Sequence, residues 1–587
     1  MSSSKHWFIQ SGPELGNQFT EDTQLQAILS RLIPEKTLNE ITPDLTRLGE
    51  RVLGDILQFG REAEEQPPQL RHHDVWGNRI DQIQVSHGWK ELNRISAEEG
   101  LVSIPFEKQQ GPYSRLYQMS KLYLFGPSCA VYTCPLSMTD GAARLIEVFG
   151  DQQQKEKYLN RLTSRDPQTF WTSGQWMTER TGGSDVGGSE TTAEWISGNE
   201  YALKGYKYFT SAITSNMAVT LARVVDADPV KRGLSCFIIE TQREGGLNHM
   251  NVVRLKEKLG TKAVPTAELE LHGSRAYLVG PASRGIPVIS VVLNITRYHN
   301  GVASVAMMRR GIALARDYAS KRNAFGESLS KKPLHLETLA ALEVRFRGCL
   351  QLLSEVALLL GRSECNEANP TQLNLLRVLT PLLKLWAGKE SVSVCSEVIE
   401  AFGGNGYMED SFLPVLLRDA QVTAIWEGTT NVLSLDLWKA LRGDAYQSYC
   451  DEIERKLSQA GDGVTREAEA IKETLGRQKK MYILLSGLPR QAMEGALRLW
   501  SFRCGINRLY RCKVTPLSVA RVYIAGLLVE HAAWSKKKMD EAAVRRWLIG
   551  DLSSELDEME RVAKVQEETR HLALDDGTIR GVFRARY

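Results

Sequence analysis

The hydrophobic period of this chain changes twice along its length, and those changes restrict its architecture more than any single motif does. From about residue 22 to 165 apolar residues recur at helical spacing, as in Leu25, Ile28, Leu29 and Leu32, and again in Leu45, Leu48, Val52 and Ile56. Pro67-Pro68 and Trp76-Gly77-Asn78 punctuate this region as loops. Near residue 170 the texture turns to short, partly alternating runs: Tyr201 to Lys204, Met217 to Val224, Leu234 to Glu240 and Thr266 to Leu271. No long helix intervenes, so antiparallel pairing is expected. Helical periodicity returns near 287 and continues through 290–322, 335–362, 371–402 and 413–442, four stretches that suggest an antiparallel bundle. Another helical block follows residue 445. The expected fold is mostly α with a small central antiparallel β domain. Residues 1–169 form an N-terminal helical domain, 170–285 the β domain, 286–444 a C-terminal helical bundle and 445–587 a helical extension. A chain of 587 residues exceeds what one core supports.

Composition excludes several classes. With 42% apolar and 24% charged residues the chain reads as an ordinary globular protein, and a net charge of +3 points to no particular partner. The nine cysteines are scattered without a C-x-x-C pair, which suits reduced thiols. The ten histidines show no metal-ligand spacing, so no metal site is expected. Met1 to Thr20 carries neither an apolar h-region nor an Arg-rich amphipathic stretch, and no apolar run is long enough to span a membrane. The expected compartment is the cytoplasm or the mitochondrial matrix.

Three fragments carry chemistry. The first runs Met177-Thr178-Glu179-Arg180-Thr181-Gly182-Gly183-Ser184-Asp185-Val186-Gly187-Gly188 at the entry to the strand region. Its glycines let backbone N–H groups approach a diphosphate, and Thr178 and Ser184 add hydroxyls, although the run is not the Rossmann G-x-G-x-x-G. The second is Phe402-Gly403-Gly404-Asn405-Gly406-Tyr407, followed by Ile425-Trp426-Glu427-Gly428-Thr429-Thr430-Asn431. Glycine after a last helical turn is also an ordinary cap. A carboxylate flanked by Trp and Ile would have its ionised form disfavoured by desolvation, which suits a general base. The third is Lys321-Arg322-Asn323-Ala324-Phe325-Gly326, where cations complement a helix C-terminus.

In their order and spacing these fragments resemble the acyl-CoA dehydrogenase family over roughly residues 20–440. Gly205-Tyr206-Lys207-Tyr208-Phe209-Thr210-Ser211 and Arg418-Asp419-Ala420 fall in the same family order. Pro67-Pro68 with Leu70, Asp74, Gly77, Arg79 and Asp81, then Trp89 and Met307-Met308-Arg309-Arg310, is similar to the AidB-like branch of that family. The sequence departs from the common pattern at Trp176, Val415 and Glu400.

The resemblance implies FAD as cofactor and a fatty acyl-CoA as ligand. It implies that Met177, Thr178, Gly183 and Ser184 meet the flavin and diphosphate, and that Phe209 and Ser211 pack on and bond the ring system. Arg322, Phe325, Gly403 and Gly404 correspond to residues reaching the FAD of a neighbouring subunit, which implies a homotetramer built as a dimer of dimers. Thr429 and Asn431 match further FAD contacts. Thr296-Arg297 resembles the element that meets the CoA portion, together with Ser184. Glu427 is the implied catalytic base, removing the α-proton while the β-hydride passes to flavin N5, and its backbone N–H would hold the thioester oxygen. Some family enzymes carry the base near Thr296 instead. Asn294-Ile295-Thr296-Arg297-Tyr298 holds no acid, which favours Glu427.

Residues 471–550 hold sixteen Lys and Arg against five Asp and Glu. Arg498, Arg503, Arg508, Arg511 and Lys513 interleave with Leu499, Trp500, Phe502 and Tyr510, as in a nucleic-acid surface. An amphipathic helix with aromatics inward and cations in water is the favoured reading, so DNA binding is not. Two function classes remain: a dehydrogenase passing electrons to an electron-transfer flavoprotein, and an AidB-like flavoprotein that binds fatty acyl-CoA or DNA with little turnover. An oxygen-using oxidase of the same fold is a third variant.

Overall fold

The computed structural model describes residues 10–225, 233–487 and 519–549. The chain divides into two compact units, Met1–Glu50 with Ser304–Tyr587, and Arg51–Ala303. The first unit opens with α1 (Thr23–Leu32) and α2 (Glu35–Arg51), after which the chain enters the second. Asp22 caps α1, its carboxylate accepting from the Leu25 N–H at 2.9 Å.

In the second unit α3 (Asp55–Glu65) leads into β1 (Gln69–His73) and β2 (Arg79–Gln84), a hairpin where the sequence suggested only loops. These strands are short and polar and lack the apolar alternation that marks a half-buried strand. Three long helices follow among shorter turns, α4 (His87–Glu98), α5 (Ser114–Phe125) and α6 (Thr133–Phe149). Then come β3 (Ser173–Trp176), β4 (Thr192–Ser197), β5 (Glu200–Ser211), β6 (Met217–Val225), β7 (Leu234–Glu240), β8 (Met250–Leu255) and β9 (Thr266–Val279). Pairings β4–β6, β6–β7, β7–β9, β9–β5 and β5–β4 return to their start, so five strands close into a barrel with no free edge among them. The expected antiparallel pairing dominates, but β6 runs parallel to both β3 and β4. Helix-free connections do not exclude a parallel pair when the chain crosses the barrel between the two strands.

Strand alternation then sorts side chains to two cores. Met217, Val219 and Leu221 of β6 and Cys236 and Ile238 of β7 pack with Leu145 and Ile146 of α6 and Val288 and Val292. Ala218, Ala222, Phe237 and Ile239 face the opposite way, into the barrel with Trp176, Leu203 and Leu269. Trp176, unusual for its position, is thus a barrel core residue. Gly174 makes space for it, since a Cβ there would lie 2.5 Å from the Trp176 Nε1.

Helix α7 (Gly285–Lys321) carries the chain back into the first unit. There follow α8 (Pro333–Glu364), α9 (Pro370–Ala401), α10 (Leu413–Thr423), α11 (Thr430–Ala440), α12 (Asp444–Leu457), α13 (Thr465–Ser486), α14 (Val519–Ser535) and α15 (Lys538–Ile549). The stretch 413–442, expected as one helix, is two. Glu427 at φ +58 and Gly428 at φ +109 break it. Among the described residues seven cysteines are free thiols, six of them buried, and no helix is long and apolar enough to cross a membrane.

Candidate active site

In the Arg51–Ala303 unit, Met177, Thr178, Gly183 and Ser184 lie on the loop between β3 and β4. The loop is held from inside by Glu179. Its carboxylate accepts from the Glu190 N–H and the Thr191 hydroxyl, both at 2.6 Å, and pairs with Lys207 Nζ at 2.8 Å. Burial alone would raise that carboxyl, but Lys207 and these donors bring it below its ordinary range. Thr178 is tied to β5 by its carbonyl, which accepts from the Tyr208 N–H at 2.9 Å. A Cβ on Gly183 would fall 2.4 Å from the Thr178 hydroxyl, so a side chain there would displace that of Thr178. Beyond it Ser184 is exposed, and Gly182 and Gly188 have open space where a side chain would be.

Phe209 and Ser211 sit on β5 at a bulge: Lys207 pairs with Leu269 and Thr210 with Ala267, so Tyr208 and Phe209 together oppose Glu268. The extra residue breaks the alternation. Lys207 and Thr210 both point inward, and Phe209 is left 51% exposed, with Lys256 Nζ 4.9 Å from its ring centre. Ser211 Oγ lies 3.1 Å from Thr266 Oγ1. Thr296 and Arg297 are on α7. Thr296 is buried with its hydroxyl donating back to Val292 and Leu293 carbonyls, and Arg297 is half-buried. The next turn is anchored by His299, whose Nε2 lies 2.7 Å from Asp140, itself paired with Arg115 at 2.5 Å.

In the other unit, Arg322 ends the α7 region and Phe325 tips a hairpin pairing Asn323–Ala324 with Glu327–Ser328. Phe325 and Gly326 both have positive φ, which makes the two-residue turn type I′. Phe325 is 97% exposed. The structure brings this region to Gly403 and Gly404. Tyr318 stacks on Phe402 at 4.3 Å, and its hydroxyl accepts from Asn405 Nδ2 at 3.3 Å. Gly403, at φ +61, needs its missing side chain for conformation alone. Glu427 lies between α10 and α11, half-buried, with Thr429 and Asn431 exposed at the start of α11. The shielding expected of Ile425 is not supplied within this unit, because that residue is 60% exposed. Sequence neighbours in a turn point in different directions, so adjacency alone was a poor guide.

Sequence comparison decides the family. Residues 12–167 match the adaptive response protein AidB N-terminal domain, 174–274 the acyl-CoA dehydrogenase middle domain and 283–441 its C-terminal domain. Residues 515–573 match the acyl-CoA dehydrogenase 11 C-terminal domain-like family. Acyl-CoA dehydrogenase family member 11 of Caenorhabditis elegans is 44% identical over 90% of this chain and 86% of its own length. This chain belongs to the acyl-CoA dehydrogenase family. It is of the AidB-like kind, being 29% identical to the putative acyl-CoA dehydrogenase AidB of Escherichia coli over 77% of this chain and 85% of that one. Its fold follows the solved structure of C. elegans ACDH-11 in complex with C11-CoA, with a TM-score of 0.88, 40% identity and 98% of each chain covered.

As an AidB-like acyl-CoA dehydrogenase the protein is an FAD-dependent oxidoreductase. The residues fit that cofactor: a glycine loop open at Gly182 and Gly188, with hydroxyls at Thr178 and Ser184, and a half-exposed aromatic ring at Phe209. The AidB-like signature proves to be structural. Asp74 accepts from the Trp76 and Asn78 N–H groups at 2.8 and 2.9 Å, closing the hairpin turn. Asp81 pairs with Arg79 at 2.8 Å and accepts from the Val252 N–H at 2.9 Å, which docks the hairpin on β8. Arg309 pairs with the cap residue Asp22 at 2.9 Å. Arg498, Arg503, Arg508, Arg511 and Lys513, with their neighbours Leu499, Trp500, Phe502 and Tyr510, lie outside the described residues. Of the described tail cations, Arg546 grips Glu337 at 2.7 Å and Arg521 sits over the Trp547 ring at 5.1 Å. Two residues escaped the sequence reading as site elements: Glu179, quoted only as part of its loop, and Lys384. The signal for Lys384 was a lone cation in the apolar run Leu382-Leu383-Lys384-Leu385-Trp386.

Proposed function

We propose that this protein oxidises a fatty acyl-CoA to its 2,3-enoyl-CoA, with Glu427 as the base that takes the α-proton. The observation that carries the reading is the backbone of Glu427. A non-glycine residue in the left-handed region costs about 1–2 kcal/mol, and such strain persists where the surrounding structure enforces it for a purpose. The chain breaks what would be a continuous helix to present this carboxylate.

The thioester makes the α-carbon acidic, and Glu427 accepts the proton released. Its own N–H is the donor for the thioester oxygen as negative charge gathers there. FAD, when bound, supplies the acceptor for the β-hydride. Met177, Thr178, Gly183, Ser184, Phe209 and Ser211 are its ligands, with Thr429 and Asn431. Arg322, Phe325, Gly403 and Gly404 serve the FAD of a neighbouring copy in a homotetramer. Thr296, Arg297 and Ser184 hold the CoA portion. A medium- to long-chain acyl group is favoured by the C11-CoA complex of the C. elegans relative. An electron-transfer flavoprotein receives the electrons. The same reading divides the chain at residues 169, 285 and 444, and sets the protein in the cytoplasm or the mitochondrial matrix.

Glu427→Gln tests the base. The variant is expected to purify yellow with full FAD and to lose acyl-CoA-dependent flavin bleaching by roughly 10²–10⁴-fold, the range for a deleted general base. Bleaching at the wild-type rate would contradict the assignment.

A further inference from the structure

We propose that Lys384 is a positioning residue for the reaction, fixing the backbone that carries Glu427; the inference rests on the Glu427 reading above. Lys384 lies in the middle of α9 among Leu382, Leu383, Leu385 and Trp386 and is 1% exposed. Its ammonium donates to the carbonyl of Gly428, the residue that follows Glu427. A cation taken out of water is costly unless its donors are used, and leucine or methionine would fill the same space without that cost. The Gly428 carbonyl uses one of those donors, which an apolar side chain of the same size could not supply.

The same face of α9 grips the other end of the connector. Residues 384, 388 and 391 follow each other at helical spacing. A Cβ on Gly388 would lie 2.6 Å from the Thr423 carbonyl oxygen, so α9 and the end of α10 approach to backbone contact. The Thr423 hydroxyl lies 3.0 Å from Ser391 Oγ and 3.2 Å from the Gly388 carbonyl oxygen, which accepts from it. Ala424 to Glu427 thus span two fixed points, Thr423 and Gly428. Glycine at φ +109 gives the second point no stiffness of its own, and the buried ammonium supplies it. A general base must be held within a fraction of an ångström of its proton, so loosening one anchor acts on the reaction rate more than on ligand affinity.

The test uses holoprotein carrying Lys384→Met and Lys384→Arg, beside Glu427→Gln. Four quantities are read: FAD content, melting temperature, affinity for a non-oxidisable 3-thia-acyl-CoA, and the anaerobic rate of flavin reduction by a saturated acyl-CoA. Lys384→Met is expected to keep FAD and analogue affinity while reduction slows about 10²-fold. Lys384→Arg, which retains a charged donor, is expected to recover part of that rate. Reduction by Lys384→Met at the wild-type rate overturns the proposal. So does loss of FAD or of analogue affinity in step with the rate, because Lys384 would then be support for the fold. An Arg variant no faster than Met also overturns it. If Glu427→Gln itself still reduces at the wild-type rate, the base assignment fails instead.

Discussion

Glu179 lies inside the sequence motif that announced the cofactor, yet its carboxylate faces inward. It gathers the Glu190 N–H, the Thr191 hydroxyl and the Lys207 ammonium beneath the glycine loop. Lys207 is fully buried, and its second hydrogen bond, to the Leu221 carbonyl at 3.0 Å, runs across the barrel. Removing one partner of a buried pair leaves an uncompensated charge, at about 3–5 kcal/mol. Glu179→Ala is therefore expected to lower the melting temperature and the FAD-to-protein absorbance ratio together, whereas Glu427→Gln leaves both near wild type. A Glu179→Ala protein with full FAD would remove the loop-holding role. At this scale the sequence was partly legible. Residue types and order located the loop, the bulged strand and Glu427. What joins them was not legible, because Glu179 with Lys207, and Lys384 with Gly428, are separated along the chain and meet only after folding.

At the scale of elements, long apolar periodicity located α7, α8 and α9 closely, since a buried helix of thirty or so residues repeats its signal many times. It failed at 413–442, where two eleven-residue helices follow each other across a short turn, and at 69–84, where the hairpin is polar. Helix α14 is joined to α1 and α12 by charge. Glu530 of α14 accepts from Arg31 at 2.8 Å and from Lys456 at 3.0 Å, and Lys456 also reaches Glu452 at 3.0 Å. Burial would raise the Glu530 carboxyl from its ordinary 4.5, but Lys456 and Arg31 outweigh it and hold it at about 2. A depressed carboxylate contributes stability that is complete above its unfolded value and is lost as pH falls toward the folded one. The shift corresponds to something on the order of 3 kcal/mol. Glu530→Gln is expected to melt well below wild type at pH 7, with the gap closing as pH falls from about 5 toward 2. A gap that stays constant across that window would show that packing, not charge, binds α14.

At the scale of the molecule, the chain leaves one compact unit within α2 and returns to it within α7, so that unit is built from two separate stretches of sequence while Arg51–Ala303 is continuous. Period changes in a sequence mark changes of element type; they carry no sign of such a return. Phe325, Leu334 and Tyr407 of the first unit are large apolar side chains left almost bare. The homotetramer proposed above would cover side chains of this kind. Phe325→Glu is expected to convert a species of four chains into smaller ones by light scattering and to release FAD on dilution; an unchanged tetramer with full FAD would separate Phe325 from assembly. The central claim, that this AidB-like protein turns over acyl-CoA and does not merely hold it, is tested most directly by anaerobic titration of the yellow holoprotein with saturated acyl-CoAs of graded length. Rapid, stoichiometric bleaching with appearance of the 2,3-enoyl product is the expected result. Tight binding that shifts the flavin spectrum without reducing it, at every chain length, would contradict the account.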